Sequence, residues 1–95
     1  MELNDIHEAF QSKLRLMILS ALISGGKSFK ELKSITEATD GNLSVQITKL
    51  EEWGFVTTTK SFILKKPQTI INITEKGTIQ FKEYVLLLNK VLADM

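Results

Sequence analysis

The sequence predicts one small, mainly helical α+β domain, and three observations support this prediction. The chain of 95 residues is 43% apolar and 24% charged, which suits one compact domain. Apolar residues recur at intervals of three and four in four segments, as expected of amphipathic helices. Residues 55–74 are instead rich in β-branched and aromatic residues, which favours a β-hairpin before the last helix.

The first two predicted helices cover residues 4–23 and 28–37. SGGKS, residues 24–28, ends the first helix because glycine is costly in a helix and readily forms a left-handed cap. Ser28 and Glu31 have the spacing of a capping box at the start of the second. The expected buried positions are Ile6, Phe10, Leu14, Met17 and Ala21 with a second row Leu16, Leu19 and Ile23 on the first helix, and Phe29, Leu32 and Ile35 on the second.

Residues 38–42 have turn composition, and Asp40 is a good helix cap, so the third predicted helix covers the stretch from residue 41 and ends at Gly54. Trp53 and Phe55, which flank this glycine, are assigned to the core rather than to base stacking. The buried row of the helix consists of Leu43, Ile47 and Leu50.

Two predicted strands follow, residues 55–64 and 69–74, joined by a turn at residues 65–68 (KKPQ). Pro67 is expected in that turn or at a sheet edge, because proline donates no backbone hydrogen bond. A final helix starts at Thr74 and Glu75 and runs to residue 92. Its apolar positions are Phe81, Tyr84, Val85, Leu88 and Leu92 on one side and Ile79, Leu86 and Val91 beyond it.

This order of elements is that of a winged helix-turn-helix, with three helices, a two-stranded β-hairpin wing and a C-terminal dimerisation helix. In such a motif the second helix of the helix-turn-helix, which is the third predicted helix of this chain, enters the DNA major groove. Residues 1–95 are therefore divided into an N-terminal helix with a core or dimer role (1–24), the helix-turn-helix (28–54), the wing (55–74) and the C-terminal helix (75–95).

The outward face of the third helix has small and polar residues that suit close approach to base edges. The Gln46 and Asn42 amides can pair with adenine, Ser44 with a base or phosphate, and Val45 with a thymine methyl. In residues 57–74 there are three lysines and no acidic residue. A solvated helix face and lysines that protect a hairpin edge are the alternative interpretations. The predicted DNA-binding residues are Asn42, Ser44, Val45, Gln46, Thr48, Lys49, Lys60, Lys65 and Lys66.

Four successive blocks carry a resemblance to a known family: RLMIL (15–19), FKEL (29–32), GNLSVQITKLEEWGFV (41–56) and KKPQTIINITEKG (65–77). They resemble winged-helix transcriptional regulators of the ArsR/MarR type, most closely small archaeal and bacterial members. The resemblance implies a homodimeric DNA-binding regulator, usually a repressor. It places Ser44, Val45, Gln46 and Lys49 at recognition-helix positions and Lys65 and Lys66 at the wing.

The chain departs from this family pattern in its basic residues. Many members carry histidine or arginine where Gln46 stands and arginines in the wing, whereas the single arginine here, Arg15, lies in the first helix. An operator that leans towards A·T, or modest specificity, is therefore expected. With no cysteine and only His7, no metal or other cofactor is expected. His7 is predicted to be a surface or dimer-interface residue.

The terminal helices are apolar on more than one side, which predicts a twofold homodimer on a palindromic DNA site. The alternative is an interaction module that binds a different chain through this surface without reading DNA. The predicted interface residues are Ile6, Phe10, Tyr84, Val85, Leu88 and Leu92.

Other functional classes find little support in the sequence. One histidine and no cysteine offer little for catalysis, and SGGKS lacks the upstream glycine of a phosphate-binding loop. The longest apolar run, VLLL at residues 85–88, is far shorter than a membrane span, and no signal peptide is recognised, so a cytoplasmic protein is predicted. No convergent polar group marks a pocket for a small-molecule effector.

Overall fold

The computed structural model describes residues 5–95 and confirms the winged-helix architecture. A short 3-10 turn, Glu8–Phe10, precedes the first helix. The helices are α1 (Lys13–Leu22), α2 (Phe29–Thr36), α3 (Asp40–Glu52) and α4 (Glu75–Ala93), and the strands are β1 (Lys27–Ser28), β2 (Val56–Ile63) and β3 (Lys66–Ile73).

The first helix is shorter than predicted. It begins at Lys13 because Ser12 caps it, with the Ser12 hydroxyl accepting a hydrogen bond from the backbone N–H of Arg15 at 3.3 Å. The preceding residues form the separate 3-10 turn. The predicted start at residue 4 lies outside the described residues.

The buried side of α1 also differs from the two predicted rows, since it is formed by Arg15, Ile18, Leu19 and Leu22. On α2, Ile35 was assigned to the inner face, but its side chain is 44% exposed. Ile35 instead lies at a shallow surface groove with residues of α1, because the short α2 directs only Leu32 fully into the core. The groove is lined by Leu16, Met17, Ser20, Ala21 and Ile35.

The predicted capping box of α2 is confirmed. The Ser28 hydroxyl accepts from the Glu31 N–H at 3.1 Å, and the Glu31 carboxylate accepts from the Ser28 N–H at 3.1 Å. The backbone and side-chain hydrogen bonds from Ser28 lower the pKa of Glu31. At α3 the cap is Thr39 rather than Asp40, since the Thr39 hydroxyl accepts from the N–H of Asn42 at 3.2 Å.

The core lies between α1, α2, α3 and the sheet. The predicted row of α3 is confirmed, and Phe55 is buried as expected. Phe10 stacks on Phe55 and Tyr84, with ring centroids 5.9 and 4.8 Å apart, and so joins the N-terminal turn to α4. The buried apolar side chains are Ala9, Phe10, Ile18, Leu19, Leu22, Leu32, Leu43, Ile47, Leu50, Phe55, Val56 and Ile71.

The sheet has three antiparallel strands in the order β1-β3-β2, one more than predicted. The two residues of β1 pair with Ile70 and Ile71 of β3. In the hairpin, Ile63 pairs with Lys66, so the turn consists of residues 64–65 rather than 65–68. Pro67 lies within β3, in a part that β1 does not reach.

The hairpin turn holds two side-chain-bearing residues at positive φ, Leu64 at 54° and Lys65 at 65°. This geometry favours Asn-Gly, and other L-residues there are strained. We expect the double variant L64N/K65G to raise the free energy of unfolding by about 1 kcal/mol and the Tm by roughly 4–8 °C in thermal denaturation. The control is K66G, which also replaces one lysine with glycine but at the adjacent strand position. It should lower the Tm, because glycine weakens a strand. An unchanged or lower Tm for L64N/K65G would contradict the proposed strain.

The molecule is elongated, with principal extents of 52 × 25 × 21 Å. Helix α4 is anchored near its start, where the Thr74 hydroxyl donates to the Gly54 carbonyl oxygen at 2.7 Å and Lys76 Nζ donates to the Trp53 carbonyl oxygen at 3.0 Å. Its second half carries several exposed apolar side chains. None of the helices in residues 5–95 has the length and apolar character needed to cross a bilayer.

Candidate nucleic-acid interface

Helix α3 is held in place from its buried side. Leu43 and Leu50 are fully buried, and Ile47 is 5% exposed. The Glu51 carboxylate ties the end of the helix to β2, accepting from the Thr58 hydroxyl at 2.7 Å and from its N–H at 3.2 Å. The opposite face of α3 is therefore displayed to solvent on a rigid support.

The predicted recognition residues lie on this displayed face. Asn42, Ser44, Thr48 and Lys49 are exposed, and the Val45 side chain is 52% exposed. The Thr48 hydroxyl donates to the Ser44 carbonyl oxygen at 3.0 Å, so its hydrogen is used within the helix. Between residues 41 and 50 there is no acidic side chain. The surface is thus small, polar and free of carboxylates over most of its length, which suits close approach to the polyanionic duplex.

Gln46 differs from the other residues of this face, because it is half-buried and bonded to Arg15. The Arg15 side chain is 8% exposed, and its guanidinium donates to the Gln46 side-chain oxygen at 2.7 Å. Sequence reasoning missed this contact and left Arg15 outside the interface. The signal was its spacing of three, four and seven residues from Ile18, Leu19 and Leu22, which places it on the buried face of α1.

The wing carries the three predicted lysines. Lys60 lies on β2, Lys65 in the turn and Lys66 on β3, and all three are exposed. Within residues 5–95 the one ion pair closer than 4 Å joins Lys33 to Asp40, at 2.7 Å. The wing lysines therefore have no carboxylate partner in the described part of the chain, which leaves them available to phosphate groups.

A fourth lysine, Lys30 of α2, was missed by sequence reasoning. It lines a surface cleft together with Lys66 and Gln68 of β3. No sequence signal brings these residues together, because their proximity depends on the pairing of β1 with β3. Lys30 adds a basic group between the helix-turn-helix and the wing.

The tip of the wing is apolar as well as basic. The Phe62 and Leu64 side chains are 78% and 92% exposed. Both extend beyond the part of the sheet that β1 covers. The tip thus presents apolar side chains next to Lys65 and Lys66.

The predicted dimer residues fall into two groups. Phe10 is only 3% exposed and stacks within its own chain, so its assignment to a dimer surface is corrected: the 3-10 turn directs the ring into the core. Ile6 and Tyr84 are half-buried against the same core. Val85, Leu88 and Leu92 are 38%, 36% and 66% exposed on α4.

His7 was predicted to be a surface or dimer-interface residue, and in the structure it is half-buried. Its Nδ1 accepts from the Ala9 N–H at 2.9 Å, and its ring lies 4.9 Å from Phe55 and 5.0 Å from Trp53. The imidazole therefore caps the 3-10 turn and packs in an aromatic cluster. In residues 5–95 no group of three His, Cys, Asp or Glu side chains is arranged to hold a metal ion.

Comparison with known proteins agrees with this geometry. The model of the family described as "Winged helix DNA-binding domain" matches residues 14–92. An uncharacterised protein of Methanocaldococcus jannaschii is 47% identical over 78 residues, covering 80% of this chain and 84% of that protein.

Solved structures give the same fold. A transcriptional regulator homologue from Pyrococcus horikoshii OT3 is 28% identical, with a TM-score of 0.87 over 97% of this chain and 94% of its own. A protein of Enterococcus faecalis V583 assigned to the MarR family of transcriptional regulators is 20% identical, with a TM-score of 0.81 over 96% of this chain and 84% of its own. The resemblance to a winged-helix DNA-binding family is thus confirmed, and the chain shares its fold with these solved regulators.

Proposed function

The chain belongs to the winged helix DNA-binding domain family, and from this membership we propose that it is a homodimeric transcriptional regulator that binds duplex DNA and represses transcription. The observation that carries the proposal is the displayed face of α3 beside the wing lysines. This face lacks carboxylates from residue 41 to residue 50, and the wing lysines lack ion-pair partners in the described chain.

Each part of this surface has a separate role in the proposed complex. Helix α3 lies in the major groove, where Ser44, Gln46 and Lys49 contact bases, and Asn42, Val45 and Thr48 support them. Lys60, Lys65 and Lys66 bind phosphate from the wing, and Lys30 adds a phosphate contact from α2. Phosphate contacts set affinity and orientation, whereas the α3 contacts carry the sequence preference.

The proposed homodimer follows from the apolar surface of α4. Val85, Leu88 and Leu92 lie on one side of the helix at spacings of three and four, and each is more than a third exposed. Pairing with the same helix of a second copy removes this surface from water. Two α3 helices then lie about 34 Å apart, one turn of the duplex, which requires a palindromic site.

Repression and a cytoplasmic location are part of the same proposal. Repression is what the resemblance to ArsR/MarR-type regulators implies, because a bound dimer excludes other proteins from the duplex that it covers. Access to chromosomal DNA in a prokaryotic cell implies the cytoplasm.

A second candidate function is a protein-interaction module that does not read DNA. It is favoured by the exposed apolar surface of α4, where Leu86 and Leu92 are each 66% exposed. The two candidates make opposite predictions for DNA binding, so one experiment separates them.

The test is selection of duplexes from a random pool, followed by fluorescence anisotropy at several salt concentrations and light scattering for the mass. We expect a palindrome bound by a dimer, with affinity that falls steeply as salt rises. Absence of enrichment together with absence of salt-dependent binding would reject the DNA-binding proposal and favour the interaction module. Repression is tested by placing the selected palindrome at a reporter promoter, where the protein should lower expression.

A further inference from the structure

The Arg15 guanidinium lies behind Gln46 and is held at several points. Its Nη1 donates to Gln46 Oε1 at 2.7 Å, its Nη2 donates to the Glu8 carbonyl oxygen at 2.9 Å, and its Nε donates to the Ala9 carbonyl oxygen at 3.3 Å. Its central carbon also lies 5.5 Å from the centre of the Trp53 ring. With so many contacts and 8% exposure, the guanidinium has little freedom to turn away from Gln46.

This contact determines which end of the Gln46 amide faces the protein. A guanidinium has five N–H donors and no acceptor, so only the amide oxygen can face it. The reversed amide would place an NH₂ group against donors of a cation. No carboxylate lies within 4 Å of Arg15 in residues 5–95, so the Gln46 oxygen is one of three neutral acceptors that satisfy this buried cation.

The amide nitrogen of Gln46 remains open. It makes no hydrogen bond within the described chain, and no unsatisfied side-chain nitrogen or oxygen of residues 5–95 is buried. Gln46 Nε2 therefore reaches solvent from the displayed face of α3, near Asn42 and Lys49.

We propose that Arg15 is a specificity-determining positioning residue that makes Gln46 a hydrogen-bond donor only. The inference rests on the proposed DNA-binding function and deepens it. Donor-only Gln46 recognises a base edge with an acceptor, namely purine N7, guanine O6 or thymine O4. It does not make the bidentate adenine contact expected from the sequence, because that contact needs both ends of the amide to face the base, whereas Arg15 holds the oxygen on the protein side. Cytosine, which offers only its N4 amino group in the major groove, is disfavoured.

The first experiment compares wild type with Gln46→Met and Gln46→Glu by selection from a random duplex pool. Gln46→Met removes the polar group and identifies the base pair that residue 46 reads. Gln46→Glu keeps an oxygen for Arg15 and presents a second oxygen outward in place of the donor. At the identified base, we expect wild type to prefer an acceptor edge and Gln46→Glu to prefer cytosine, whose major-groove edge offers only a donor, with a relative affinity change of about 5-fold.

The second experiment separates the role of Arg15 from a merely structural one. Binding is measured to duplexes that carry adenine at the identified base. It is then measured to the same duplexes in which this adenine is replaced by the unsubstituted base purine, which lacks the N6 amino group. Wild type should bind both equally. Arg15→Met releases the Gln46 oxygen and should bind adenine about 5-fold more tightly than purine. Thermal denaturation verifies that this variant folds, and if it does not fold, the Gln46→Glu result decides.

The outcomes are distinct. The inference is overturned if Gln46→Met changes no base preference, if wild type loses about 5-fold in affinity when the N6 amino group is removed, or if Gln46→Glu keeps the wild-type preference. Salt-dependent binding by wild type in those cases leaves the DNA-binding proposal intact. If wild type shows no salt-dependent binding to any duplex, both the proposed function and this inference are rejected.

Discussion

Replacing Gly77 with alanine is expected to lower the free energy of unfolding by about 3 kcal/mol. Gly77 is buried in the first turn of α4, and a Cβ there would overlap the Phe55 carbonyl oxygen. It would also lie 2.9 Å from Ile73 Cγ1. The Phe55 carbonyl cannot move freely, because it accepts from the Thr74 N–H at 2.9 Å. Helix α4 would therefore have to shift away from the start of β2, breaking contacts that anchor it.

Gly41→Ala is the matched control for this variant. Gly41 also lies in the first turn of a helix, but a Cβ there meets no atom within 4 Å. Because alanine has the higher helix propensity, this variant should be slightly more stable than wild type, by about 0.5 kcal/mol. Urea denaturation of both variants measures the difference. A Gly77→Ala protein within about 0.5 kcal/mol of wild type would show that α4 is not tightly packed at this point.

The second large effect is expected for the wing lysines in DNA binding. The double variant K65Q/K66Q removes two phosphate contacts from each wing. The slope of log affinity against log salt should fall by about 1.8 for each protomer bound, which corresponds to a loss of roughly 60-fold per protomer at about 0.1 M salt. Because phosphates carry no sequence information, all duplexes should weaken alike. Fluorescence anisotropy between low and moderate salt measures both quantities.

The control is K82Q/K90Q, which makes the same change in charge on α4. Lys82 and Lys90 are exposed on the helix that the proposal assigns to dimerisation rather than to the wing. The control should keep the wild-type slope of log affinity against log salt, apart from a small change caused by its lower total charge. Equal losses for the two double variants would show that net charge, not the wing, governs binding. Light scattering of each variant verifies that its oligomeric state is unchanged.

Much of the candidate site could be predicted because it depends on helix periodicity. The spacing of Leu43, Ile47 and Leu50 fixes the buried side of α3, and the opposite side follows from the helical repeat. The capping box of Ser28 and Glu31 was correct for a similar reason, since both partners lie within one turn. Such features involve residues close in sequence, so their geometry is set by local backbone structure.

The predictions for the first helix and for the hairpin turn were wrong, because a few residues decide where each element begins or ends. The N-terminal segment has apolar residues at helical spacing, but the Ser12 cap divides it and directs Phe10 into the core. The hairpin turn lies at residues 64–65 because pairing of Ile63 with Lys66 sets the register, although KKPQ has the composition of a turn. Composition alone does not determine register. The pairing of two whole strands contributes more to stability than the turn preference of two residues does.

By itself, the sequence determined the order of helices and hairpin, the face of α3 that is displayed, and the lysines of the wing, because these depend on periodicity and local composition. Only the tertiary structure decided that β1 joins the sheet, that Lys30 approaches the wing, and that Arg15 binds Gln46. Arg15 and Gln46 are 31 residues apart on different helices. Their contact depends on how α1 packs against α3, and this packing is the basis of the donor-only role that we propose for Gln46.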